Sequence, residues 1–135
     1  MKMKLLLICQ MVVLAMLVSC NNNGDVSIAV KDEDDYYRFR AQFDDNLSAD
    51  VSRFLNDQLS TVRIDPEKDS KIITVLPDQT RITVESSPGE VMIYLDKDEN
   101  SRDAYHRIKN LCEGVKDVIL KHNRNNTRLE NSRSN

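Results

Sequence analysis

From Val26 onward, apolar and polar positions recur with two different periods, and the switches between those periods divide the chain into elements. Val26, Ile28 and Val30 alternate with Ser27, Ala29 and Lys31, the period-two pattern of a half-buried strand. The acidic run Asp32-Glu33-Asp34-Asp35 interrupts it, and Tyr37, Phe39, Ala41 and Phe43 then alternate with Arg38, Arg40 and Gln42. The pair predicts an antiparallel hairpin closed by the acidic turn. Beyond Asp44-Asp45-Asn46 the period lengthens: Val51, Phe54, Leu55 and Leu59 follow at helical spacing, so a first helix is expected over 48–59. Ser48 is the expected N-cap, with Asp50 suited to the positive helix end.

Val62 and Ile64 suggest a short extended piece before Pro66. Ile72-Ile73-Thr74-Val75-Leu76 is dense in β-branched residues and is expected to be the central strand. Turn residues at Pro77 to Thr80 and at Ser86 to Gly89 separate three strands, 71–76, 81–86 and 90–95, which form a meander. Asn100 or Ser101 can cap a second helix. On it Tyr105, Ile108, Leu111, Cys112, Val115, Val118 and Ile119 recur at three- and four-residue spacing. The order is therefore β-β-α-β-β-β-α, predicting an α+β domain over 26–121. Its antiparallel sheet has about five strands, with both helices packed on one face. Residues 122–135 are polar apart from Leu129 and are expected to be a disordered tail.

The first twenty residues follow different rules. Lys2 and Lys4 precede an apolar stretch from Leu5 to Val18, broken only at Gln10, which ends at Ser19-Cys20. That is a secretory layout, and it falls short of the roughly 20 predominantly apolar residues of a membrane-spanning helix. Leu17-Val18-Ser19-Cys20 resembles the lipobox of bacterial lipoproteins. The resemblance implies a signal peptide over 1–19, diacylglyceryl transfer to the Cys20 thiol and cleavage before it, with 20–25 left as a lipid-bearing polar tether. Asn21 after the cysteine implies, by the same resemblance, the outer membrane. Two or three acyl chains hold a protein firmly where one binds only reversibly.

Composition narrows what the domain meets. Of 19 basic residues, Lys2 and Lys4 lie in 1–19, leaving 17 against 22 acidic ones, formally −5. An acidic domain lacks the cationic footprint for nucleic acid, and overall charge likewise does not support a polybasic membrane contact. Cys9 lies in the signal and Cys20 carries lipid, so Cys112 stands alone and no internal disulfide is expected.

Candidate chemistry is sparse. Cys112 shares the apolar stripe with Ile108 and Val115, while His106, six residues earlier, sits about 120° around the helix; burial is the better reading than an activated nucleophile. Asp96 to Asn100 resembles the start of a calcium loop, but Ser101 and Arg107 occupy the positions where such a loop needs Gly and a bidentate Glu. Asp32 to Asp35 could meet a basic partner or simply solvate a turn. No catalytic residue, metal site or cofactor is predicted. Alternation places Tyr36, Arg38 and Arg40 on the sheet face away from the helices. Tyr and Arg there form the expected partner surface. The function expected from these features is that of a lipid-anchored, non-enzymatic binding or accessory module of the bacterial envelope, contacting an unidentified envelope protein. The alternatives are a protective, immunity-type inhibitor of a secreted toxin or hydrolase, with the acidic turn as its contact, and a small hydrolase using scattered acids and His106.

Overall fold

A computed structural model describes residues 26–133. The signal segment, Cys20 and the tether expected over 1–25 lie outside the described residues. Within them the elements run β1 (Ser27–Asp32), β2 (Tyr36–Gln42), a 3₁₀ turn (Asp45–Leu47), α1 (Ser48–Gln58), β3 (Ser70–Val75), β4 (Arg81–Ser87), β5 (Glu90–Asp96) and α2 (Arg102–Arg133). The class is α+β, and the hairpin and the meander form as the alternation predicts. They join through β2 and β5 to give one antiparallel sheet in the order β1-β2-β5-β4-β3.

This order follows from where apolar side chains accumulate. On one sheet face β2 presents Tyr37, Phe39 and Ala41, β5 presents Val91, Ile93 and Leu95, and β4 presents Ile82 and Val84, all at most 2% exposed. Val51 and Leu55 of α1, with Ile108, Leu111, Cys112, Val115 and Ile119 of α2, close over that face. Each Val, Leu, Ile or Phe among them gains about 1.5–3 kcal/mol by leaving water, so the strands richest in inward apolar residues take the middle.

The β-branched strand β3 is an edge, not the centre: Ile72 turns inward, whereas Ile73 and Val75 are 70% and 45% exposed. Its composition reports a fit to the pleated backbone, and β-propensity says nothing of which strand acquires two neighbours. Of the disordered tail expected over 122–135, the described part, 122–133, is instead helical, because α2 continues unbroken through Arg133. No Gly or Pro follows Gly114 in the described chain to stop it. Extending a helix that packing has already nucleated requires only one further residue per hydrogen bond. Thr127 and Ser132 hydroxyls add bonds back to the carbonyls of Asn123 (3.1 Å) and Leu129 (2.9 Å).

Local chemistry also departs from the simplest reading at Ser48. Asp44 caps the 3₁₀ turn, its carboxylate accepting from the Asn46 N–H at 2.9 Å. α1 follows directly from that turn, and the Ser48 hydroxyl accepts instead from the Gly89 N–H at 2.8 Å. Gly89 also accepts from the Phe43 N–H at 2.9 Å, so the β4–β5 turn is bolted to the start of α1. Ser101 does cap α2, accepting from the Ala104 N–H at 3.1 Å.

Val62 and Ile64 form no strand; they plug the core from an irregular connection. The Asn56 amide holds that connection by bonding both the N–H (2.8 Å) and the carbonyl (3.1 Å) of Ile64. Asn100 does the same for Arg81, at 2.7 and 3.0 Å, continuing β4 where its strand partner ends.

Candidate partner surface on the open sheet face

The helices cover one face of the sheet and leave the other open. Register places Tyr36, Arg38 and Arg40 of β2 there, as alternation predicts, beside residues of β5 and β4 that the sequence reading did not connect with them. Arg38 lies opposite Tyr94, which lies opposite Thr83, which lies opposite Ile73. One row along, Arg40 lies opposite Met92, and Met92 opposite Glu85. The outward orientation of Met92 and Tyr94 was legible in their alternation with Val91, Ile93 and Leu95. Their placement beside β2 required the strand order.

Tyr36 and Tyr94 are diagonal neighbours whose rings stack at 5.7 Å between centroids, 25° from parallel. The Arg38 guanidinium sits 6.0 Å from the Tyr36 ring. Burial, then the charges of Asp96 and Asp35, hold the Tyr94 phenol above its ordinary pKa. Arg40 is engaged by Glu90 at 3.5 Å and Lys71 by Glu85 at 3.2 Å. Arg38 makes no ion pair among the described residues and stands directly opposite Lys31. Like charges facing each other across a strand pair repel, and an acidic partner group relieves that repulsion. A shallow depression of about 440 Å³ adjoins the patch at Lys71, Glu85, Glu90 and Met92. The result is a flat surface with a stacked aromatic centre, a free cationic corner and exposed aliphatic groups at Ile73 and Val75. Such a surface suits broad protein contact better than capture of a small molecule.

The other candidates resolve differently. The acidic turn is split. Asp32 faces the helix layer, where its carboxylate accepts from Lys97 Nζ at 2.7 Å and from the Tyr105 hydroxyl at 2.5 Å, with Lys109 Nζ at 3.6 Å. Lys97 also bonds the Glu33 carbonyl at 2.6 Å and covers the Tyr105 ring at 4.4 Å. The most inward carboxylate of the run thus fastens the β1–β2 turn to α2. The hydrogen bond from Lys97, then that from Tyr105, lowers the Asp32 pKa below the ordinary 3.8. A carboxylate depressed on folding stabilises the protein above its unfolded pKa, and that stabilisation is lost as pH falls through the folded value. Asp32→Asn is accordingly expected to lower the denaturation midpoint at neutral pH. It is also expected to flatten the loss of stability below about pH 4, as read by urea unfolding across a pH series.

Cys112 is fully buried, and burial pushes its thiol up to about 12. It is expected to resist maleimide in the native protein and to react only with unfolding, which a timed labelling experiment in rising denaturant reads directly. His106 is exposed against the Tyr105 ring, at 4.9 Å between centroids. In the 96–100 run, the Asp96 carboxylate accepts from the Asp98 N–H at 2.8 Å, and the Asn100 amide donates to the Asp96 carbonyl at 2.7 Å. Those groups build the entry to α2. Among the described residues no group of three or more His, Cys, Asp or Glu side chains is placed to hold a metal ion, and no helix is long and apolar enough to cross a membrane.

Comparison of the chain with protein-family models, with curated proteins and with solved structures finds no match.

Proposed function

We propose that this chain is a lipid-anchored envelope protein, held through Cys20, that works as a non-enzymatic binding or accessory module by docking an envelope protein on its open sheet face. The observation that carries the docking surface is the Tyr36–Tyr94 stack beside Arg38 and Lys31, which make no ion pair among the described residues, on a sheet face that no element of the described chain covers. Aromatic and arginine side chains carry much of the energy where proteins meet. The anchor rests on the Leu17-Val18-Ser19-Cys20 lipobox resemblance, and the outer-membrane assignment on Asn21.

The protective-inhibitor reading draws less support, because Asp32, one of the four acids it would use, is engaged by Lys97 and Tyr105. A photo-crosslinking amino acid at Tyr94, in cells making the native protein, tests the surface, with the same group at exposed His106 as the reference. A discrete adduct is expected from position 94 and not from 106, and it is expected to disappear with Arg38→Glu/Arg40→Glu. Adducts from 106 alone, or an adduct at 94 indifferent to both charge reversals, would remove this face from the proposal. Intact-mass analysis of the native product tests the anchor: an unmodified Cys20 sulfur or a retained leader overturns it.

A further inference from the structure

The last turns of α2 carry a charge opposite to that of the rest of the domain. Between 26 and 119 the chain holds 13 basic and 20 acidic residues, formally −7. Between 120 and 133 it holds Lys121, Arg124, Arg128 and Arg133 against Glu130 alone, formally +3. Averaged over the whole chain, this asymmetry vanishes into a net acidic composition. Lys121, Arg124 and Arg128 follow one another at i, i+3 and i+7, which sets them along one side of a helix. None of the three makes an ion pair among the described residues, and every residue from Asn123 through Arg133 is exposed. Apart from Leu129, the extension is polar on every side and buries nothing against the core it grew from.

Its direction is informative. α2 starts beside Asp32, Tyr105 bonding that carboxylate, and runs back along the sheet. By 118–125 it runs beside α1, where Val118, Lys121, His122 and Asn125 border a cleft with Asp50, Arg53, Phe54 and Asp57. α1 begins at Ser48, tied to Gly89, and Gly89 adjoins the row Ser27, Gln42, Glu90. The helical extension therefore leaves the domain at the end where β1 begins, the end to which Cys20 is joined through the tether. Seven residue steps separate Cys20 from Ser27 and span at most about 25 Å. The extension from Asn123 to Arg133 adds about 15 Å. A membrane that holds Cys20 is therefore within reach of the extension.

We propose that this cationic helical extension, Lys121, Arg124 and Arg128 foremost, lies against anionic phospholipid headgroups and sets the orientation of the anchored domain. The arginines supply bidentate donors to phosphate, and an acidic body repelled by the same surface is held upright over it. The inference rests on the lipid-anchor reading, and its test separates the two.

The native lipidated protein carrying Ser132→Cys is spin-labelled; Cys112 is buried and the Cys20 sulfur is acylated, so the label goes to 132. It is reconstituted into phosphatidylcholine vesicles with and without phosphatidylglycerol. The nitroxide is expected to be slowed in the anionic vesicles at low salt. It is expected to be released in zwitterionic vesicles, at high salt, or with Arg124→Glu/Arg128→Glu, while Arg124→Lys/Arg128→Lys keeps most of the slowing. Circular dichroism checks that the reversed variant retains its helix. A label equally free in both vesicle types on a protein that floats with them overturns the headgroup contact and leaves the anchor standing. Slowing that tracks protein density rather than lipid charge also overturns it, in favour of contact with a second copy. Failure to float with either vesicle removes the anchor and this inference together.

Discussion

Gly89→Val is expected to destabilise the domain by about 3 kcal/mol or more, enough to consume much of the roughly 5–15 kcal/mol that holds a typical domain folded. Three causes act at one position. The backbone there has φ +77°, a region β-branched residues avoid. A Cβ built on it meets the Asp45 carboxylate and stands 2.8 Å from the Phe43 carbonyl oxygen, a backbone atom that cannot swing aside. Moving the turn to relieve that contact breaks the Gly89 N–H to Ser48 bond and the Phe43 N–H to Gly89 bond together. Urea unfolding followed by circular dichroism reads the change as a fall in midpoint at constant slope. Ser48→Ala supplies the comparison: it leaves the Gly89 N–H buried without an acceptor and is expected to cost about 1–3 kcal/mol. A Gly89→Val protein as stable as the parent would mean that the turn is not clamped between Phe43 and α1.

The second large effect contrasts adjacent residues of β5. Ile93 is fully buried at the middle of the sheet, flanked in register by Phe39 and Val84. Ile93→Ala is expected to cost about 2–5 kcal/mol through lost burial and the cavity left behind. Tyr94, one position on, points to the open face. Tyr94→Ala removes the stack with Tyr36 and is expected to lower stability by about 1 kcal/mol or less, while eliminating partner capture by a photo-crosslinker placed at the neighbouring Thr83. The pair separates folding from recognition within one strand. Equal loss of stability at both positions would indicate that the open face is covered by something that contributes to the fold.

Much of the architecture could be read along the chain because its signals are local. The turn at Pro88-Gly89, the alternation in β2, β4 and β5, and the apolar stripe of α2 each depend on residues within a few positions of one another. Burial of Cys112 followed from the same stripe. The candidate surface was half legible: Tyr36, Arg38 and Arg40 could be assigned to the outer face. Tyr94, Met92 and Thr83 could be known to point outward but not to be their neighbours.

Ser48 shows a different limit. A hydroxyl at a helix start is usually a cap, but the Asp44 turn occupies that role, which frees Ser48 to accept from a residue 41 positions away. Asp32 is similar. In the sequence it is one of four acids in a solvated turn; in the fold α2 brings Tyr105 and Lys109 to it, and the connection before α2 brings Lys97. Gly114 belongs here too: a glycine inside a helix reads as a weakness until Phe54 of α1 is found against it, in the space a Cβ would take.

What the sequence determined by itself was the identity of the elements and the face of each strand that turns inward, because both are set by periodicity, a property of near neighbours. It also carried the resemblance at Leu17 to Cys20 on which the anchor proposal stands. Only the tertiary structure decided that β5 lies beside β2, that β3 forms an edge, and that the extension of α2 leaves the domain at the end where β1 starts. Those outcomes depend on which apolar faces cover one another when all elements pack together, and that comparison of burial between distant segments is written in no single stretch of the chain.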